Sequence, residues 1–106
     1  MNPAAREALR AIERIGKQWA LGEADRAKLL GSASLGEPGP DVLDRIGHIV
    51  AIYNALHLIF EDTFADAWVH RSNAAFGGAR PIDVLLDRDV MRLVAMRRYL
   101  ETATYE

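Results

Sequence analysis

In this 106-residue chain, the three histidines are the residues whose type and spacing could support metal binding or proton transfer. Each stands four residues from a carboxylate, in the pairs Asp44–His48, His57–Glu61 and Asp66–His70. Residues four apart share a helix face, so each pair could bind a metal ion or exchange a proton. Two ligands do not make a metal site, and the spacing marks no third ligand. We therefore predict solvated or partly buried histidines, with no metal site. A metal-assisted enzyme using His57 and Glu61 is the alternative.

Other catalytic patterns are missing from the sequence. The chain contains no cysteine, which excludes disulfides, thiolate metal sites and cysteine nucleophiles. The Gly77-Gly78 pair lacks the surrounding pattern of a phosphate-binding loop. We therefore expect a protein that is not an enzyme and that takes no cofactor.

Composition predicts one globular domain. Half of the residues are hydrophobic and 26% are charged, which is typical of folded chains. We see no apolar run near 18 residues and no basic-then-apolar leader, so we expect neither a membrane span nor secretion, but a cytoplasmic protein. The net charge of −2 argues against strong non-specific binding to nucleic acids.

The charge is spread unevenly along the chain. Residues 1–31 hold six basic and four acidic groups, residues 32–70 one basic and six acidic groups, and residues 71–106 six basic and five acidic groups. The two ends could therefore face an anionic partner, whereas the middle could not.

Hydrophobic residues recur with helical periodicity along the chain, and no alternating strand pattern occurs. Asn2 and Pro3 predict a helix start, and the helix should end at Gly22. A second helix over residues 23–30 should stop at Gly31. Its inward residues are predicted to be Ala24, Ala27 and Leu30; those of the first helix are Ala8, Ile12, Ile15 and Trp19.

The longest helix should begin at Asp41, after the Gly- and Pro-rich segment 31–40. Its broad apolar stripe includes Val42, Leu43, Ile46, Ile49, Ile52, Leu56 and Phe60. Shorter helices follow, capped at Asp62 or Thr63, started by Pro81, and begun near Asp89; the last should bury Val90, Leu93, Val94 and Leu100. The sequence thus predicts an all-α, compact bundle of about five to six helices around a long central helix.

The N-terminal part is similar to a shortened helix-turn-helix. Residues 21–31 read like the first helix of such a module, but only nine residues separate Gly31 from Asp41, too few for a full recognition helix. We therefore predict a degenerate helix-turn-helix-like region over residues 1–40 and a second region over 41–106, within one compact domain. If DNA is bound, the candidate contacts are Arg6, Arg10, Arg26 and Lys28.

The C-terminal half carries a recognisable order of motifs. They are Asp44-Arg45-Ile46, Ile52-Tyr53-Asn54-Ala55-Leu56, Trp68-Val69, Ser72-Asn73, Phe76-Gly77-Gly78 and Pro81-Ile82-Asp83-Val84-Leu85-Leu86. This order resembles the toxin-binding domain of Xre/MbcA/ParS-type antitoxins, over roughly residues 8–102. Two features depart from the family pattern: the segment after Gly31 is short, and Ser72 stands where a proline is common.

The resemblance implies an antitoxin of a type II toxin–antitoxin system. Such proteins, typically homodimers, bind and occlude the active site of a toxin with a RES domain that degrades NAD⁺, with the antitoxin's C-terminal end at or near the entrance. Members with a complete helix-turn-helix also repress their own operon, so a DNA-binding regulator is the alternative function. The candidate toxin-binding residues are Trp68, Asn73, Phe76, Arg97, Arg98, Tyr99 and Tyr105.

The residue types leave some of these roles open. Trp68 is either a core anchor or a partly exposed hot spot. Asn73 and the Gly77-Gly78 pair are expected to set the backbone of their loop. Arg97 and Arg98 are either a solvated helix end or a contact with the partner.

Overall fold

In the computed structural model, which describes residues 2–31 and 37–103, the described residues fold mainly into α-helices. The six helices are α1 (Pro3–Gln18), α2 (Glu23–Leu30), α3 (Pro40–Ile59), α4 (Asp62–Trp68), α5 (Pro81–Leu85) and α6 (Val90–Ala103), with a 3₁₀ turn at Ala74–Phe76 between α4 and α5. No strand occurs among the described residues. The predicted all-α bundle of about six helices is confirmed.

Helix α1 begins as its sequence predicts. The Asn2 side chain accepts a hydrogen bond from the Ala5 N–H at 2.7 Å, and Pro3 occupies the first helical position. The predicted stop at Gly22 is wrong by four residues, because α1 ends at Gln18 and the backbone at Ala20 turns left-handed, with φ of 56°. Gly22 instead serves as the N-cap of α2.

Helix α2 turns a different face inward from the one predicted. Ala24 and Ala27 are exposed and Leu30 is half-buried, whereas Leu29 is fully buried. The packing of Arg26 explains why α2 is rotated about its axis relative to the prediction. Its side chain lies along Gly16, where a methyl group would stand 2.9 Å from Arg26 Cγ, and its Nη1 donates to the Leu21 carbonyl at 3.0 Å. Gly31 ends α2 in the left-handed conformation, as predicted.

Helix α3 is the centre of the molecule. It begins at Pro40 with Gly39 as its N-cap, one residue before the predicted start at Asp41. Helices α1, α2, α4 and α6 all pack against it. By length and mean hydropathy α3 could cross a membrane, but core helices of globular bundles share those properties. Its most buried side chains are Ile46, Ile49, Ile52 and Leu56, each at most 1% exposed.

Arg45 is a charged residue inside this core, only 5% exposed. Its Nε donates to the Leu29 carbonyl at 2.8 Å, and its Nη2 donates to the Leu85 carbonyl at 2.6 Å and the Lys28 carbonyl at 3.4 Å. These carbonyls belong to the last turns of α2 and α5, where helices lack intrahelical donors. Arg45 therefore ties two helix ends to α3. This role of Arg45 was not predicted from the sequence.

Helices α4 to α6 complete the bundle around α3. The N-cap of α4 is Glu61, whose side chain accepts from the Phe64 N–H at 2.7 Å, so the predicted cap at Asp62 or Thr63 is displaced by one or two residues. Pro81 starts α5, as predicted. In α6 the predicted Leu93 and Leu100 are buried, Val90 and Val94 are half-buried, and the buried Met96 was missed.

Candidate functional site

A row of aromatic rings crosses the surface formed by α4, the 3₁₀ turn and α6. The ring centroids are 4.8 Å apart for Phe60 and Phe64, 6.0 Å for Trp68 and Phe76, and 5.6 Å for Phe76 and Tyr99. Phe64 and Trp68 stand four residues apart on α4 and so share one face of that helix. We call these five residues the aromatic stripe.

The aromatic stripe is partly exposed to solvent. Phe64 is 39% and Tyr99 48% exposed, and the other three rings are half-buried against the core. The stripe holds five of the eight Phe, Trp and Tyr residues of the chain, including every phenylalanine. The tilted and edge-to-face geometries are those that aromatic pairs prefer, so the rings hold one another in place.

Two arginines stand beside the stripe. The Arg71 guanidinium lies 5.4 Å from the centroid of the Phe64 ring, within the range of a cation–π interaction. Arg98 is exposed and adjoins Tyr99 on the outer side of α6, where the two line a shallow hollow with Ala95, Thr102 and Ala103. Aromatic rings beside arginines are the composition enriched where proteins bind one another.

The loop after α4 is held by its own backbone, as predicted. The Asn73 side chain accepts from the Ala75 N–H at 2.9 Å, and the Asn73 carbonyl accepts from the N–H groups of Phe76 and Gly78. Gly77 and Gly78 have φ of 67° and 86°, a region that favours glycine. Ser72, which departs from the family pattern, donates to the Gly78 carbonyl at 2.7 Å and helps close the loop. This loop places Phe76 between Trp68 and Tyr99.

The structure brings some of the predicted toxin-binding residues together and separates others. Trp68, Phe76 and Tyr99 lie in the aromatic stripe, and Asn73 shapes the loop beneath it. Trp68 is half-buried, so it is both packed and accessible. Arg97 donates to Glu101 at 2.6 Å and contacts His48 Nδ1 at 3.3 Å, which holds it against α3. Tyr105 lies outside the described residues. Phe60, Phe64 and Arg71 were not predicted.

Two of the three histidines, His57 and His70, form other pairs than the predicted ones. His57 contacts Asp62 and Asp66, whereas Glu61 caps α4, because α3 ends at Ile59 and the two residues no longer share one helix. His70 contacts the Trp19 carbonyl at 2.8 Å and not Asp66. The Asp44–His48 pair does form, at 3.5 Å. No group of three His, Asp or Glu residues within 2–31 and 37–103 could hold a metal ion.

A cleft lies elsewhere, beside Arg45 and the C-terminal end of α2. It measures about 620 Å³ and is lined by Leu30, Gly31, Asp41, Val42, Asp44, Arg45, Arg88 and Val90. Among the described residues that line it there is no histidine, serine, threonine, lysine or tyrosine. The Arg45 guanidinium, the buried group in this lining, is already bonded to helix carbonyls. Burial lowers the pKa of Arg45, although the nearby Asp87 opposes this shift.

Comparison with known proteins decides the family. Residues 55–105 match the model of the antitoxin Xre/MbcA/ParS C-terminal toxin-binding domain. A relative from Sinorhizobium fredii (strain NBRC 101917 / NGR234), the uncharacterized protein y4oB, is 34% identical over 104 residues, covering 88% of this chain and 81% of that protein. The chain belongs to the Xre/MbcA/ParS antitoxin family. No solved structure gives a significant match.

The match encloses the whole aromatic stripe of this antitoxin-family chain. Phe60 and Tyr99, at the two ends of the stripe, both lie within residues 55–105. The domain that the family uses to bind toxins is thus the part of the chain that presents the exposed aromatic rings. The predicted resemblance to the Xre/MbcA/ParS antitoxin family is confirmed, with the match over residues 55–105.

The four basic residues predicted as DNA contacts differ in the contacts that their side chains make. Arg6 and Arg10 are exposed on α1, in the same row as Arg14 and Lys17. Arg26, by contrast, donates to the Leu21 carbonyl, and Lys28 lies 3.9 Å from Asp25. All of them precede the residues that match the toxin-binding domain.

Proposed function

We propose that this antitoxin-family chain neutralises a toxin with a RES domain by binding it through the aromatic stripe and obstructing the toxin's active site. The observation that carries the proposal is the partly exposed stripe lying wholly within the toxin-binding domain. The RES-type partner itself is supported by the motif resemblance.

The physical case for binding through the stripe rests on its rings. An aromatic side chain buries a large apolar area and has few rotatable bonds, so ordering it at an interface costs little entropy. In the stripe, the ring-to-ring contacts already restrain Phe64, Phe76 and Tyr99 before any partner arrives. A surface preorganised in this way loses less freedom on binding than a flexible one.

Arg98 and the C-terminal end are proposed to reach the toxin's active site. Arg98 is exposed beside Tyr99, whereas Arg97 contacts Glu101 and His48 and is proposed to orient α6. An arginine can form two parallel hydrogen bonds with a carboxylate, and a tyrosine can fill a flat pocket. Both would suit an active site that accepts a dinucleotide. Tyr105 is proposed to take part in the same contact.

The resemblance further supports a cytoplasmic homodimer without enzymatic activity, in which residues 41–106 bind the toxin and residues 1–40 form a reduced helix-turn-helix-like region. Light scattering on a sizing column measures the oligomeric state directly. A mass of one chain at micromolar concentration would contradict the dimer.

Co-expression with the RES-domain toxin of a neighbouring gene tests the function. We expect the two proteins to co-purify and cellular NAD⁺ to stay at the level of cells without the toxin. Continued loss of NAD⁺, with no complex on a sizing column, would refute the proposal.

A short C-terminal truncation of the antitoxin-family chain distinguishes binding of the toxin from obstruction of the toxin's active site. Leu100 is 2% exposed and anchors α6, so removal of residues 97–106 would damage the core, whereas removal of residues 104–106 keeps every described residue. We expect the truncated chain to bind the toxin but to inhibit the toxin's NAD⁺-degrading activity only in part. Full inhibition by the truncated chain would exclude residues 104–106, Tyr105 included, from the obstruction.

DNA binding by α1 is a second candidate function, favoured by one observation. Arg6, Arg10, Arg14 and Lys17 are all exposed and lie within about 80° of the α1 circumference at 100° per residue. A gel shift with the operon's promoter should show retardation that weakens steeply with salt and is reduced by Arg10→Ala. Arg88→Ala, which removes an exposed arginine outside residues 1–40, serves as the control. Absence of any retardation at low salt would contradict this function.

A further inference from the structure

His57 stands between two carboxylates where α3 meets α4. Its Nδ1 lies 2.8 Å from an Asp62 carboxylate oxygen, and its Nε2 lies 3.0 Å from an Asp66 carboxylate oxygen. The ring also packs on Tyr53, one turn earlier in α3, with centroids 4.3 Å apart. The imidazole is 18% exposed and Asp66 is 22% exposed, so these groups are partly withdrawn from water.

Both contacts are satisfied only when the ring carries two protons. A neutral imidazole has one N–H donor, and its other nitrogen presents a lone pair. At these distances, that lone pair would face a carboxylate oxygen, which is repulsive. In the imidazolium form each nitrogen donates to one carboxylate, and both hydrogen bonds are charge-assisted.

The surroundings favour this charged form. Partial burial alone would lower the pKa of His57, but the hydrogen bonds and charges of Asp62 and Asp66 outweigh it and raise the pKa above 6.5. Tyr53, another titratable group, also faces the ring. Burial, followed by Asp66 and Asp62, raises the pKa of Tyr53, while Arg14 of α1 lowers it.

The two carboxylates belong to the helix that presents two of the five rings of the stripe. Asp62 is the first residue of α4 and Asp66 lies one turn later, whereas Phe64 and Trp68 project from the exposed and half-buried positions of the same seven-residue helix. A helix this short has little stability of its own and depends on tertiary contacts for its position. We propose that protonated His57 clamps α4 to α3 and thereby makes the presentation of Phe64 and Trp68 to the partner depend on pH.

The direction of the dependence follows from the two states of the chain. His57 binds its proton more tightly in the folded chain than in the unfolded chain. The clamp is therefore fully formed below about pH 6.5 and is lost as the pH rises through the folded-state value. We expect a looser α4 under alkaline conditions. The consequence for the toxin rests on the function proposed above, whereas the clamp itself does not.

NMR on the free, full-length chain tests the clamp without any toxin. The His57 Cε1–H resonance, assigned with His57→Gln, should titrate with a midpoint above 6.5. The Trp68 indole N–H resonance, assigned with Trp68→Phe, should move with the same midpoint. A His57 midpoint at or below 6.5, or a Trp68 resonance that does not respond across it, would overturn the proposal.

A pair of matched variants separates the clamp from general effects of charge. Asp66→Asn should shift the His57 midpoint downward, because it removes one of the two carboxylates. Asp44→Asn is the control, since it also removes a carboxylate paired with a histidine of α3, and it should leave the His57 midpoint where it is in the parent chain. Equal shifts in the two variants would contradict a local clamp.

Toxin binding then distinguishes failure of the clamp from failure of the proposed function. Between pH 6 and pH 9 we expect affinity to fall about two- to fivefold in the parent chain and in Asp44→Asn, the range that partly exposed ion pairs support, and to change less in Asp66→Asn. A toxin that binds with equal affinity at both pH values would overturn the regulatory consequence. A toxin that binds at neither pH would refute the proposed function while leaving the NMR result intact.

Discussion

Arg45 shows what a sequence pattern cannot reveal about a single residue. Within the α3 sequence it resembles any charged residue of an amphipathic helix, and such residues usually face water. Its burial becomes understandable only when the C-terminal ends of α2 and α5 arrive beside it and offer carbonyls that lack donors. These contacts connect residues 29, 45 and 85. Because the three residues are far apart in the sequence, no local pattern predicts the contacts.

We expect Arg45→Met to lower the free energy of unfolding by about 3 kcal/mol. Methionine fills similar space but donates no hydrogen bond, which leaves buried helix carbonyls unsatisfied at about 1–3 kcal/mol each. Urea unfolding measures the loss. Arg92→Met is the matched control, because Arg92 pairs with Asp87 at the surface and should contribute at most about 1 kcal/mol. Equal losses in the two variants would contradict the account of Arg45.

Trp68 was predicted to be either a core anchor or a hot spot, and its half-buried position combines the two. Truncation of a fully buried tryptophan costs about 3–5 kcal/mol, whereas for Trp68→Ala we expect a loss of about 1–2 kcal/mol because part of the ring is already in water. Chemical denaturation measures this loss of stability. A loss of 4 kcal/mol or more would show that the ring is mainly a core anchor.

Helix ends were more predictable than the rotation of short helices. Caps such as Asn2 and Gly31, and starts such as Pro81, act through backbone chemistry that is local in sequence. The long stripe of α3 was also predictable, since an apolar face over five turns has one way to be buried. The eight residues of α2 contain apolar residues on several sides. There the fit of Arg26 along Gly16 decides which side faces inward.

Two glycine substitutions test this difference between the end and the interior of a helix. Gly31 has φ of 79°, and a methyl group there would lie 2.8 Å from Arg45 Cδ, so we expect Gly31→Ala to destabilise the fold by about 1–3 kcal/mol. Gly47 lies within α3 with nothing near its missing Cβ, so Gly47→Ala should stabilise the fold by about 0.5–1 kcal/mol. Thermal unfolding gives both values. Changes of the same sign in both variants would contradict the account.

The aromatic stripe is a property of the whole fold. It joins the end of α3, the outer face of α4, the 3₁₀ turn and α6, which are separated by up to about 40 residues in the chain. Motif order identified Trp68, Phe76 and Tyr99. Phe60 and Phe64 were missed: Phe60 was assigned to the apolar stripe of α3, and Phe64 was given no role in binding. Only the packed structure shows that α4 turns its inner side, Ala65, toward the core and leaves Phe64 exposed.

The affinity of the complex with the toxin, measured by calorimetry on stripe variants, tests the central claim most directly. Phe64→Ala and Tyr99→Ala remove rings that are already partly exposed, so the melting temperature should change little. Each variant should weaken binding about 30-fold or more, as loss of an interface hot spot does. Met91→Ala removes a side chain that is 65% exposed on α6 outside the stripe and should bind within about threefold of the parent chain. Parent-like affinity in both stripe variants would contradict the claim that the toxin binds there.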